Sequence, residues 1–265
     1  ILKSYDKAAF MTAAKLGDSV GVSESTVVRF ANELGFSGYP KLQKALQELI
    51  KNKLTTVQRL ELSNDYVSDG DTLKGVLKAD MENIRATLEK INPYTFEQVL
   101  NSIFEAKTIY IIGLRSSTAI AEFLGFYLNI ILQNVRIVSY GISDIFEQMI
   151  NVQEGDLVIG IGFPRYAAKT IDALDFAKKR GAKVLAITDS LLSPLATEAD
   201  YTLIAQSNMA SFVDSLVAPL SVINALIIAV GMREKESISD TFTNLEGIWK
   251  DYNVYSYNSH NMMDE

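Results

Sequence analysis

The period of the apolar positions changes along the chain, and the changes divide it into parts. Between Met11 and Leu34 the run MTAAKLGDSVGVSESTVVRFANEL holds two short helical patterns separated by the turn Ser19-Val20-Gly21-Val22. In the second, Val27, Phe30, Ala31 and Leu34 recur at helical spacing and are expected to face inward. Glu24, Ser25, Val28, Arg29 and Asn32 then face out. Ser23 stands where an N-cap is needed, with Thr26 at the third helical position and Glu24 near the positive end of the helix dipole. A compact turn, Gly35-Phe36-Ser37-Gly38-Tyr39-Pro40, leads into a lysine-rich helix. From Leu54 to Gly70 periodicity weakens and polar residues cluster, as in a connecting segment. Helical spacing returns over Thr72 to Lys90 and Tyr94 to Ala106, with a break at Asn92-Pro93.

After Lys107 short β-rich apolar runs alternate with amphipathic stretches. Strands are predicted at Thr108–Ile112, Val135–Val138, Leu157–Ile161, Val184–Ile187 and Tyr201–Ile204, and helices over 117–133, 143–151, 166–180 and 212–232. Such alternation implies a parallel sheet covered by helices on both faces. The expected fold class is therefore α/β: a parallel-sheet sandwich body behind a small all-α helix-turn-helix domain. The expected boundaries are 1–53 for the helix-turn-helix, 54–71 for a linker, 72–240 for the body with its leading helices, and 241–265 for a polar tail, largely disordered past Tyr257.

Charge sharpens this division. The whole chain carries −7, which alone argues against nucleic acid. Residues 1–60, however, hold nine Lys/Arg against five Asp/Glu, a net of +4, leaving −11 for the rest. A basic head on an acidic body suggests that the head meets a polyanion. A helix entering the major groove needs short donors and acceptors at its N-terminal end and a cation farther along. Ser23, Ser25, Thr26 and Arg29 supply them, and Tyr39 and Lys41 complete the expected DNA-binding set. The alternative is an ordinary helical hairpin with a solvated outer face.

Composition removes other chemistries. The chain has no cysteine, which excludes disulfides, thiolate metal sites and cysteine nucleophiles, and fits a cytoplasmic location. The single histidine, His260, lies near the C-terminus, so neither a histidine triad nor a multi-histidine metal centre is expected, and no cofactor. Ile1 to Phe10 carries Lys3, Asp6 and Lys7 and no apolar run of signal length, and a start at Ile1 reads as a fragment or a processed chain. Phe212 to Met232 approaches membrane length, but Asp214, Pro219, Ser221 and Asn224 interrupt it, so a buried core helix and no membrane partner are expected.

In a parallel sheet, ligands sit at the carboxyl ends of strands, where helix N-termini offer unpaired N–H groups. The first strand ends in Gly113-Leu114-Arg115-Ser116-Ser117-Thr118 and passes directly into a helix. Glycine permits close approach, the hydroxyls donate and Arg115 neutralises charge, which together make a phosphate cradle. No dinucleotide fingerprint or Walker lysine is present. The third strand ends in Gly160-Ile161-Gly162-Phe163-Pro164-Arg165-Tyr166, and Arg165 is expected to project into the same crevice. A merely capped helix, or an Arg115 paired with an acid at a subunit contact, stands as the alternative.

The run VGVSESTVVRFANELGFSGYPKLQKAL resembles the DNA-binding head of RpiR-type regulators, with their valine-serine-x-serine-threonine recognition helix and glycine-tyrosine turn. Gly17 departs from the pattern, in which alanine is usual, and glycine there weakens a helix by up to about 1 kcal/mol. The stretches GLRSSTAIAEF, FAKKRGAKVLAITDSLLSPLATEADYTL and MASFVDSLVAPLSVINALI resemble the SIS (sugar isomerase) domain. The resemblance implies an additional first helix ending at Ile1 to Ser4, and phosphate binding by loops after the first and third strands, with Ser116 and Ser117 in the first. In the second loop Gly162, Pro164 and Ala167 stand where hydroxyls are usual. Arg165 then replaces those contacts, or the ligand is an acidic sugar derivative.

The resemblance implies a transcriptional regulator whose operator affinity is controlled by a sugar phosphate or acidic sugar, acting as a homodimer or homotetramer, with helix 212–232 as a candidate contact. The rival is a sugar-phosphate isomerase or lyase. Proton transfer between adjacent carbons needs a placed base. Asp144, Glu147 and Lys169 are the candidates, with helix capping or contact with sugar hydroxyls the competing roles for the acids. No catalytic residue is expected.

Overall fold

The computed structural model describes residues 5–50, 55–63, 71–209 and 212–255. The chain forms two compact units, the first made of Ile1–Glu89, Phe163–Ala167 and Gln206–Ala218, the second of Lys90–Gly162, Ala168–Ala205 and Pro219–Glu265. The expected remnant of a further helix at Ile1–Ser4 and the expected disorder past Tyr257 lie outside the described residues.

The first unit begins with α1 (Tyr5–Ala8), α2 (Ala13–Val20), α3 (Glu24–Glu33) and α4 (Tyr39–Ile50). Thr12 caps α2 by accepting from the Lys15 amide at 3.2 Å, and Gly21 ends it with a left-handed φ of 72°. Ala13 and Leu16 of α2, Val27 and Ala31 of α3, and Tyr39 and Leu42 of α4 close over Ala8 as one core. Two expected members are missing from it. Phe30 is 44% and Leu34 52% exposed. At roughly 100° per residue, Phe30 lies to one side of the Val27–Ala31 direction, and Leu34 is the C-cap, beyond the last helical residue. Gly17 is explained by the turn. A Cβ there would stand 2.6 Å from the Val22 carbonyl oxygen, and the Val22 amide donates to the Gly17 carbonyl at 2.9 Å. The missing methyl lets α2 and α3 approach.

Helix α5 (Thr56–Ser63) occupies part of the expected linker. Its own signal is weak, and a distant contact supports it. The buried Arg59 guanidinium pairs with Asp214 at 2.8 Å. Helix α6 (Thr72–Lys90) follows as expected.

The second unit starts with α7 (Pro93–Glu105), capped by Asn92 with Pro93 in its first position. Strands β1 (Ile109–Gly113), β2 (Val135–Val138), β3 (Leu157–Ile161), β4 (Lys183–Thr188) and β5 (Tyr201–Ile204) form one parallel sheet in the order 2-1-3-4-5. Strands β1 and β3 are buried throughout, as central strands covered on both faces must be. The connections run through α8 (Thr118–Leu132), α9 (Ile145–Gln148), α10 (Ala168–Lys179) and α11 (Pro194–Glu198).

Helix α12 (Val217–Arg233) starts later than expected, with Pro219 kept in its first turn, where proline costs no hydrogen bond. Val222, Ile223, Leu226 and Val230 are buried, as expected of a core helix. Among the described residues no single helix is long and apolar enough to cross a membrane. Helix α13 (Lys235–Asp251) corrects the expected tail. Ile238, Leu245 and Trp249 repeat at helical spacing and turn partly or wholly inward, a pattern diluted in sequence by the six polar or charged residues among 239–246.

Candidate functional site

The head offers a short polar helix end. The Ser23 hydroxyl accepts from the Thr26 amide at 3.3 Å and lies 2.9 Å from both the Ser25 and Thr26 hydroxyls. Ser23 therefore caps α3 and orders its neighbours. Ser25, Arg29 and Lys41 are exposed, and Thr26 is half-buried. Ser25, Val28, Arg29 and Asn32 share the outer face of α3, all of them exposed. Tyr39 belongs to another task. It is buried, and its hydroxyl donates to the Met11 carbonyl at 2.8 Å. Burial pushes its phenol above the ordinary value of 10.0, which keeps it a donor. It ties α4 to the loop before α2, so the structure moves it from the expected DNA-contact set into the core.

In the second unit β1 and β3 are neighbours whose helical connections leave the sheet in opposite directions along it, the switch point at which parallel sheets place ligands. Gly113 ends β1. A Cβ there would meet the Ser117 carbonyl oxygen at 2.8 Å and the Ala121 Cβ at 2.9 Å, so only glycine lets the strand run this close to α8. A single 3-10 turn, Arg115–Ser117, follows. Arg115 is exposed at φ 59°, a left-handed conformation that costs a non-glycine residue about 1–3 kcal/mol. Ser116 is exposed. Ser117 is buried at the N-cap of the 15-residue α8, yet its hydroxyl makes no capping bond. Helix N–H groups, a glycine and two serines thus meet at one strand end.

Arg165 falls in the first unit. It is exposed, with φ 63°, and its guanidinium donates to the Thr56 hydroxyl at 2.7 Å. Two arginines, each soon after a central strand, hold the same left-handed backbone. The sequence pattern did not show either conformation.

The acids considered for proton transfer have structural roles. Asp144 caps α9 by accepting from the Phe146 amide at 3.0 Å, and Glu147 accepts from the Asp144 amide at 2.8 Å, a reciprocal capping box. Lys169 sits 4.9 Å above the Phe146 ring. Among the described residues no group of three or more His, Cys, Asp or Glu could hold a metal ion.

Residues 1–53 match the helix-turn-helix domain of the rpiR family, and residues 102–229 match the SIS domain. The crystal structure of the RpiR transcription factor from Sphaerobacter thermophilus, its sugar isomerase domain, is 30% identical, covering 67% of this chain and 99% of that one with a TM-score of 0.64. The chain belongs to the RpiR family. Like other RpiR-family proteins it is a DNA-binding transcriptional regulator that joins a helix-turn-helix head to an SIS domain. It is 28% identical to the HTH-type transcriptional regulator RpiR of Escherichia coli K12, over 70% of this chain and 62% of that protein. The Vibrio vulnificus NanR protein complexed with ManNAc-6P shares the fold at 19% identity, with a TM-score of 0.61 over 95% of this chain and 90% of that one.

Sequence reasoning about this RpiR-family chain missed two buried groups. Thr170, in the first turn of α10, has a hydroxyl with no hydrogen-bond partner among the described residues. Asp189, just past β4, is buried and accepts from the Thr188 hydroxyl at 3.4 Å. Neither stands out in sequence, because threonine near a helix start and aspartate after a strand are common.

Proposed function

We propose that a phosphorylated or otherwise acidic sugar bound at the carboxyl end of β1 controls the operator affinity of this regulator. The observation that carries the reading is Ser117. A buried serine at an N-terminal helix position normally spends its hydroxyl on the helix, and this one does not. Backbone N–H groups of α8, Ser116 and Arg115 then surround an anion in the manner of other helix-terminus sites. That the V. vulnificus neighbour of the same fold is complexed with a sugar phosphate supports the ligand class. In the head, Ser25, Thr26, Arg29 and Lys41 meet DNA, with Ser23 ordering them. Paired heads from two chains read two half-sites, and a cytoplasmic location suits that task.

A thermal-shift screen against sugar phosphates and acidic sugars tests the reading. One strong stabiliser is expected, and Ser117→Leu should remove its effect. A shift that survives in Ser117→Leu places the ligand elsewhere.

A further inference from the structure

Helix α6 carries an apolar stripe on a face that its own unit does not use. Leu73, Leu77, Met81, Ile84 and Leu88 are 71%, 54%, 63%, 40% and 73% exposed. The side of α6 that turns inward is polar instead. Asn83 and Thr87 are buried there, Asn83 bonding both the amide and the carbonyl of Asn208, and Thr87 accepting from the Gln206 amide at 2.8 Å. Asp80 accepts from the Ser215 hydroxyl at 2.6 Å. Hydrogen bonds hold α6 in place while its large side chains stand in solvent. A helix with this distribution is built for a second apolar surface.

We propose that this surface is the α6 of a second copy of the chain, paired in parallel. The stripe is self-complementary. Leu77, Met81, Ile84 and Leu88 are separated by four, three and four residues, the alternation of the d and a positions in a heptad. The flanking charges choose the direction. In this register Lys78 and Arg85 take e positions and Asp80 a g position. Parallel pairing keeps Lys78 and Arg85 of the two copies apart, whereas antiparallel pairing sets Lys78 toward Arg85 of the partner subunit, like charges, while Asp80 keeps its bond to Ser215 in its own chain. Arg85 meets the exposed Glu82 at 3.4 Å, long for an ion pair and readily exchanged. Helix α12, the other candidate contact, buries Val222, Ile223, Leu226 and Val230 in the fold and leaves only Val217, Ile228 and Met232 of its large apolar residues exposed, without the alternating spacing of the α6 stripe.

The absence of cysteine makes the test clean. In the full chain, Leu88→Cys should form a symmetric disulfide on mild oxidation, because equivalent a positions of parallel helices lie within disulfide reach. Glu82→Cys, on the charged side, should not. By sedimentation, Leu77→Glu with Ile84→Glu should weaken the dimer at least about a hundredfold, with unchanged circular dichroism because both side chains are exposed. A wild type that stays monomeric at high concentration, a double variant that stays dimeric, a dimer in which Leu88→Cys fails to link, or Glu82→Cys linking as readily, would each overturn the proposal. The inference deepens the proposed pairing of heads but reads self-association alone, so a flat effector panel leaves it standing.

Discussion

Thr170 holds a hydroxyl that is buried and without a partner among the described residues. An unpaired buried hydroxyl costs on the order of 1–3 kcal/mol. Thr170→Val keeps the shape and removes the polar atom, so it should raise unfolding stability by roughly 1 kcal/mol in chemical denaturation. If that hydroxyl serves the effector, the same variant should lose part of the ligand-induced thermal shift. Lower stability in Thr170→Val would show that the hydroxyl is bonded in solution. Single residues were legible in sequence when their role was local. Ser23 at a helix start and glycine at a strand end announce themselves by type and place. Tyr39 did not, because its bond to the Met11 carbonyl spans 28 residues of chain. The left-handed Arg115 and Arg165 did not either, because arginine carries no bias toward that conformation.

At the scale of elements, α3 joins a capping task to a reading task, and two variants separate them. Ser23→Ala removes the cap and should cost the head about 1 kcal/mol of stability. Arg29→Ala leaves the cap and core intact and should instead weaken operator binding by about 1–3 kcal/mol with unfolding unchanged. Unaltered affinity in Arg29→Ala at physiological salt removes it from the reading face. The sheet was legible because central strands of a parallel sheet are continuous apolar runs, and β1 and β3 are such runs. Helix α5 was not, since its weak pattern is completed by Arg59 and a partner far along the chain. Helix α13 was not, since its inward residues are diluted by polar ones.

At the scale of the whole molecule, charge is segregated. The first 60 residues carry +4 and the remainder −11, so attraction to DNA is local and the body opposes it at long range. Operator affinity should fall linearly on a double-logarithmic plot against salt, and Lys41→Ala should flatten that slope by about one. An unchanged slope would mean that Lys41 touches no phosphate. This division was the most legible feature of the sequence, because it needs only counting.

The Arg59–Asp214 pair joins residues 155 apart in the chain. During synthesis, at ~5–20 residues per second, Arg59 leaves the ribosome roughly ten to thirty seconds before its partner. All five strands of the sheet are made in that interval. The segment that carries Arg59 must therefore wait in water, fully charged, and can settle only after the chain has been translated through the sheet. Within the first unit, this contact is among the last that translation permits.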